Sequence, residues 1–203
     1  PHLKSASAVV LSQVQNLICT LHLSILLRSV ASGSNKIKPP FIATLSFKNM
    51  DQALSIRADY FLYGIEIGIL DFNDAISWAD SVIKDSAKPS SEIIDLALSR
   101  PRGRNGVMEA LAEIPGERNP EVAGRLLLAE LSRRMSSVKE LKVISRQALD
   151  VAWATQQPEE IRFELDRIDD GIYLAESGTY GTINECRQEL EDALSAYGGI
   201  NET

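Results

Sequence analysis

The sequence predicts an all-α protein: an irregular antiparallel helical bundle or a short helix-pair solenoid of about eight helices, with an N-terminal amphipathic helix in front. Three observations carry this. From residue 50 onward, apolar residues recur at three-to-four spacing in one segment after another, the period of a helix with one buried face. Start and stop signals separate those segments at short intervals, and short connections favour antiparallel neighbours. Strand alternation is missing there; residues 41–47, FIATLSF, are the only β-like run, and one strand has no partner. The helices fall into pairs of roughly forty residues, which suggests repeat stacking. No residue pattern recurs from pair to pair, so both architectures stay open.

The elements follow in order. Asp51–Ile67 places Leu54, Ala58, Phe61, Leu62 and Ile65 on one side, with Gly68 as its C-terminal glycine. Asp71, with Asp74 three residues on, opens a helix striped by Phe72, Ala75, Ile76, Ala79, Val82 and Ile83. Trp78 flanks that stripe and Asp80 lies on its polar side. Pro89 stops the run; Ser90 or Ser91 caps a short helix carrying Ile93, Ile94, Ala97 and Leu98, which Pro101 ends. After the loop RPRGRNG, Asn105 is placed to cap Gly106–Ile114, and Pro115-Gly116 stops that helix. Asn119-Pro120-Glu121 combines a cap, a proline at the first helical position and an acid in the first turn. Ser137 with Glu140 reads as a capping box before Leu141, Ile144, Ala148, Val151 and Ala152. Pro158 opens a helix with Ile161, Leu165, Ile168 and Ile172, which Gly178 and Gly181 break. Thr182 with Glu185 is a second capping box, ahead of Ile183, Cys186, Leu190, Ala193, Leu194 and Tyr197.

Charge divides the chain. Residues 1–49 hold Lys4, Arg28, Lys36, Lys38 and Lys48 and no acid, whereas residues 50–203 hold 28 acids against 16 bases, a net of −12. The break suggests two pieces: a basic amphipathic helix and linker at 1–49, and an acidic all-helical domain at 50–203. Val10, Val14, Leu17 and Leu21, with Leu11, Ile18 and Ile25 at seven-residue spacing, form an apolar stripe in the first piece, and residues 33–48 read as a linker with a Pro-Pro stop. Four readings of this piece compete. It packs as a soluble helix; it is a cleaved leader; it anchors in a membrane, against which Gln13, Gln15, Asn16 and His22 count; or it extends upstream of a natural start at Met50. A further option is that residues 1–31 exchange between protomers of a homo-oligomer.

Composition also restricts the chemistry. A chain of 203 residues buries roughly 70% of its unfolded surface, enough to hold a core without disulfide or metal. Two distant cysteines, Cys19 and Cys186, form no disulfide framework and point to a reducing, cytoplasmic setting. After His22 there is no histidine, which removes histidine bases, triads and histidine zinc sites from the acidic domain. Cys186 falls on an inward stripe, the place of an inert thiol. No nucleotide or calcium loop motif appears, and no cofactor is implied.

Carboxylates remain. Asp166, Asp169, Glu189 and Asp192 are the candidate metal ligands, because acids three or four apart on a helix stand side by side and suit magnesium. All-α nucleotide pyrophosphohydrolases use paired EExxE and ExxD patterns. Glu189–Asp192 matches the second, while Glu159-Glu160 meets Phe163 where the first needs an acid. The competing reading is a solvated acidic face. Arg100, Arg102 and Arg104, ahead of a helix N-terminus, form a candidate anion or partner site, with Arg118, Arg125, Arg133 and Arg134 in reserve. Nucleic acid does not suit a domain of this charge.

The stretch YGIEIGILDFNDAISWADSVI with KPSSEIIDLALS, about residues 60–99, resembles small acidic helical bacterial proteins, some of them immunity-like. Its recognisable parts are Gly68, Trp78-Ala79-Asp80, Pro89 and Ile94-Asp95-Leu96. The resemblance implies an acidic helical module that binds a protein partner, and it brings no catalytic residue. The expected function is therefore non-enzymatic binding of a basic protein, with Trp78, Asp80, Arg100, Arg102 and Arg104 as candidate contacts. The alternative is the carboxylate and magnesium hydrolase.

Overall fold

The computed structural model describes the backbone of residues 39–135 and 140–198, and side chains from residue 52 onward within those ranges. The chain divides into two compact units, Pro1–Thr44 and Leu45–Thr203; the packing below is that of the second. The amphipathic stripe at residues 10–25, the exchange segment 1–31, Cys19 and Ser137 lie outside the described residues.

Eight α-helices and no strand occur among the described residues. They are α1 (Pro39–Ile67), α2 (Phe72–Asp85), α3 (Ser91–Ala97), α4 (Gly103–Ala112), α5 (Pro120–Arg134), α6 (Leu141–Ala154), α7 (Glu159–Glu176) and α8 (Ile183–Tyr197), with a short 3-10 turn at Arg100–Arg102. The expected eight helices are all present. Three boundaries differ from expectation. Helix α1 begins at Pro39, so residues 39–48 of the expected linker, with the β-like run FIATLSF, are helical. Pro39 and Pro40 occupy its first turn, where a missing N–H costs nothing, so the pair starts a helix instead of stopping one. Asn105 lies inside α4, which starts at Gly103 directly after the 3-10 turn. Glu140 is the N-cap of α6 and no side-chain bond caps that end.

Elsewhere the capping signals take the expected form. Asp71 accepts from the Asn73 N–H at 2.8 Å while Asp74 accepts from the Asp71 N–H. Asn119 accepts from the Val122 N–H at 3.1 Å, and Thr182 and Glu185 cap one another's backbone. Each such cap satisfies an amide that the helix leaves without a partner.

The last four helices form a closed ring: α5 packs on α6, α6 on α7, α7 on α8, and α8 returns to α5. A solenoid joins only consecutive repeats, so the ring decides for a bundle. Its helices fully bury Leu127, Leu128, Leu131, Leu165, Ile168, Ile172, Leu190 and Leu194. Helices α2, α3 and α4 pack on one another, with Ile76, Ile93, Leu96 and Leu111 buried. Gly124 of α5 lies under the α6–α7 corner; a Cβ there would sit 2.8 Å from the Cβ of Thr155. The corner itself turns through Gln156 in the left-handed region, φ 53°.

Helix α1 is fastened by polar groups at two levels. Its buried Asp59 accepts from Arg118 Nη1 at 2.7 Å and from the Asn119 N–H at 3.1 Å. Arg118 Nη2 also donates to the carbonyls of Leu111, Ala112 and Ile114, closing the end of α4. One level on, α1 ends in a Schellman turn. The Ile69 N–H donates to the Gly64 carbonyl at 2.8 Å, and Gly68 holds φ +83°, where an L side chain is strained. Donors from three helices meet this end: Arg104 of α4 on Ile65 and Glu66, Arg134 of α5 on Ile69, and Gln147 of α6 on Gly68. Cations at a helix C-terminus also oppose its dipole favourably.

Removing either member of the Asp59–Arg118 pair leaves a buried polar group without its partner. Asp59→Ala and Arg118→Ala are each expected to lower unfolding free energy by about 3 kcal/mol. The double variant should cost clearly less than the sum of the two. Urea titrations of the four proteins measure this, and strict additivity would mean that the pair does not act as a unit.

Candidate functional site

Two of the three arginines of the expected anion site, Arg102 and Arg104, are already engaged. Arg102 pairs with Asp95 at 2.7 Å, and Arg104 caps α1. Arg118 holds Asp59, Arg125 pairs with Glu121, and Arg133 and Arg134 both pair with Glu130. Arg100 is exposed in the 3-10 turn. Apart from that of Arg100, these guanidinium groups are bonded to helix ends and neighbouring acids. Trp78 is half-buried, with its ring centroid 5.3 Å from that of Phe61, and Asp80 faces solvent. This is the edge of a packed face and its wet border.

The candidate metal ligands are likewise dispersed among separate partners. Asp169 accepts from Ser145 Oγ at 2.6 Å and lies 3.3 Å from Arg146. Glu189 pairs with Arg167 at 3.0 Å, Asp192 accepts from Gln188, and Asp166 is exposed. Among the described residues no three His, Cys, Asp or Glu side chains are grouped to hold a metal ion. Cys186 is buried; burial, with Glu189 and Glu185 nearby, pushes its thiol above the ordinary range, which suits an inert core thiol.

The surface that stands out belongs to α7 and α8; sequence reasoning weighed its acids and passed over its exposed aromatics. Glu159, Phe163, Asp166, Asp170 and Tyr173 follow 4-3-4-3 spacing along α7, and all five are exposed. Phe163 is 60% and Tyr173 61% exposed, and Tyr180, in the turn before α8, is 78% exposed. Glu159, Asp166 and Asp170 form no ion pair among the described residues. From Glu159 to Tyr197 there are 11 acids against 3 bases, a net of −8. Most of the acidic domain's excess charge therefore sits on these two helices. The signal was available: two aromatics occupy the polar face of a helix, where the buried stripe of Ile161, Leu165, Ile168 and Ile172 does not need them.

Beside this stripe runs a groove between α7 and α8. One hollow of about 520 Å³ is lined by Gly171, Tyr180, Thr182, Glu185 and Cys186, among others. A second, of about 300 Å³, is lined by Glu164, Asp192, Ala193 and Tyr197, among others. Arg167 and Glu189 border both. At the far end the Tyr197 hydroxyl donates to Glu164. That bond, then burial and the carboxylate charge, push the phenol up to about 12. No protein-family model, curated protein or solved structure matches the chain. No described helix is long and apolar enough to cross a membrane.

Two measurements check this geometry. A Cβ on Gly171 would meet only Cys186 Sγ, at 3.8 Å, an ordinary contact. Gly171→Ala should therefore raise stability by about 0.5–1 kcal/mol, the helix gain of losing a mid-helix glycine. A loss of stability by denaturant unfolding would show the groove floor to be closed. For Tyr197, the folded protein keeps its proton between pH about 10 and about 12 while the unfolded chain releases it. Its stabilising contribution is thus whole below pH about 10 and drains away as pH rises through about 12. Ultraviolet titration, with Tyr197→Phe as the subtraction, should place this phenol at about 12, and Glu164→Gln should bring it down.

Proposed function

We propose that this protein is a non-enzymatic, acidic, all-helical module that binds a basic protein surface through α7 and α8. One observation carries the reading: the exposed Glu159–Phe163–Asp166–Asp170–Tyr173 stripe, in which two aromatic anchors stand among three acids that form no ion pair among the described residues. Large aromatics on a water-facing helix bury well only against another molecule, and aromatic residues are enriched where interfaces concentrate their energy. The surrounding charge steers a basic partner in and sets its orientation. An immunity-type role, masking a basic effector, fits this chemistry, as does a reducing cytoplasmic setting for the free thiol of Cys186. The arginine turn around Arg100, Arg102 and Arg104 serves the fold in this reading. Trp78 and Asp80 belong to its packed edge.

A photo-cross-linking side chain at position 163, introduced in the native cell, tests the proposal. It should capture a defined partner of basic isoelectric point, while the same group at exposed Leu98 captures none. With that partner purified, Phe163→Ala should weaken binding by about 1–2 kcal/mol and change folding stability by less than about 0.5 kcal/mol. Acidic cross-linked species, or equal capture from both positions, would refute the reading.

A further inference from the structure

The groove beside the stripe has a feature that folding does not explain. Gly171 sits in the interior of α7 with no left-handed φ, and its missing side chain makes way for nothing closer than 3.8 Å. A glycine there weakens the helix without a packing return. What it does is leave the 520 Å³ hollow open down to Cys186. The rest of its lining is Gly181, the Tyr180 ring, out in solvent, the Thr182–Glu185 capping pair, and the Arg167–Glu189 ion pair.

We propose that this groove seats a lysine or arginine side chain presented by the partner, an inference that rests on the basic-surface reading above. The match is chemical along the whole side chain. Its aliphatic stem lies over Gly171 and Cys186, as long cationic side chains cover apolar surface while the head stays polar. Its charged head meets the face of Tyr180 and the carboxylate of Glu189. The chain supplies its own precedent: Arg167 donates to Glu189 at 3.0 Å, across the boundary between the two hollows. That pair is solvent-exposed, 61% and 50% by side chain. Exposed pairs hold weakly, so a partner's cation exchanges for Arg167 at little cost. The net −8 of the two helices favours a cation over any other occupant.

The test uses the full chain and a short fluorescein-labelled peptide of alternating lysine and leucine, with its glutamate counterpart as control, read by fluorescence anisotropy. The lysine peptide should bind and the glutamate peptide should not. Gly171→Leu, which fills the hollow, and Tyr180→Ala, an exposed position that folding does not need, should each weaken binding about tenfold. Circular dichroism checks that both fold; if the leucine variant fails to fold, Tyr180→Ala alone decides. Binding that survives the groove variants but falls in Asp166→Asn with Asp170→Asn would overturn the groove and leave the acidic face standing. No lysine-peptide binding, or equal binding of the glutamate peptide, would overturn both.

Discussion

Asp59 is the constraint on which much of the arrangement depends. A carboxylate in a buried position is costly unless its charge is matched and its oxygens are bonded. Both conditions are met here by one loop: Arg118 supplies the charge and Asn119 the backbone N–H. Because Arg118 also collects three carbonyls at the end of α4, a single guanidinium joins α1, the end of α4 and the start of α5. Ser55, one turn earlier on α1, donates to the Glu117 carbonyl at 2.8 Å and fixes the same loop from a second point. Apolar packing has no direction of its own. These bonds do, and they set the register of α1 against the helices it covers.

The same economy explains where most of the arginines go. Helices leave carbonyls without partners at their C-terminal ends, and connections this short bring those ends close to the next helix. Arg104, Arg118 and Arg134 reach across to them. A guanidinium group with several donors is well made for collecting more than one carbonyl.

Much of the fold was legible because helix signals are local. The Asp71–Asp74 and Thr182–Glu185 boxes, the Asn119-Pro120 start and the Gly68 stop each need only a few residues, and each stands where expected. Where the signal needed a neighbour distant in sequence, it failed. Asp59 shares a face with Ser55 one turn back, yet nothing nearby announces that Arg118 will meet it. The Pro39-Pro40 pair misled because proline's meaning depends on which side of it the helix lies. For the site, the partners of the candidate acids were not legible. Asp169 belongs to Ser145 and Arg146, and Glu189 to Arg167. Phe163 and Tyr173 were overlooked because attention to buried stripes discards the opposite face.

The ring of the last four helices has a consequence for how the chain is made. Helix α8 closes the circuit by returning to α5, and its Leu190 and Leu194 are fully buried. During synthesis, a ribosome that has delivered α5, α6 and α7 holds three rods whose oily sides have no cover on one flank. Domains fold as units while newly exposed apolar surface invites clumping. The nascent protein therefore stays sticky until its closing helix clears the exit tunnel, and a truncation just before Ile183 would hand the cell a substrate for its chaperones.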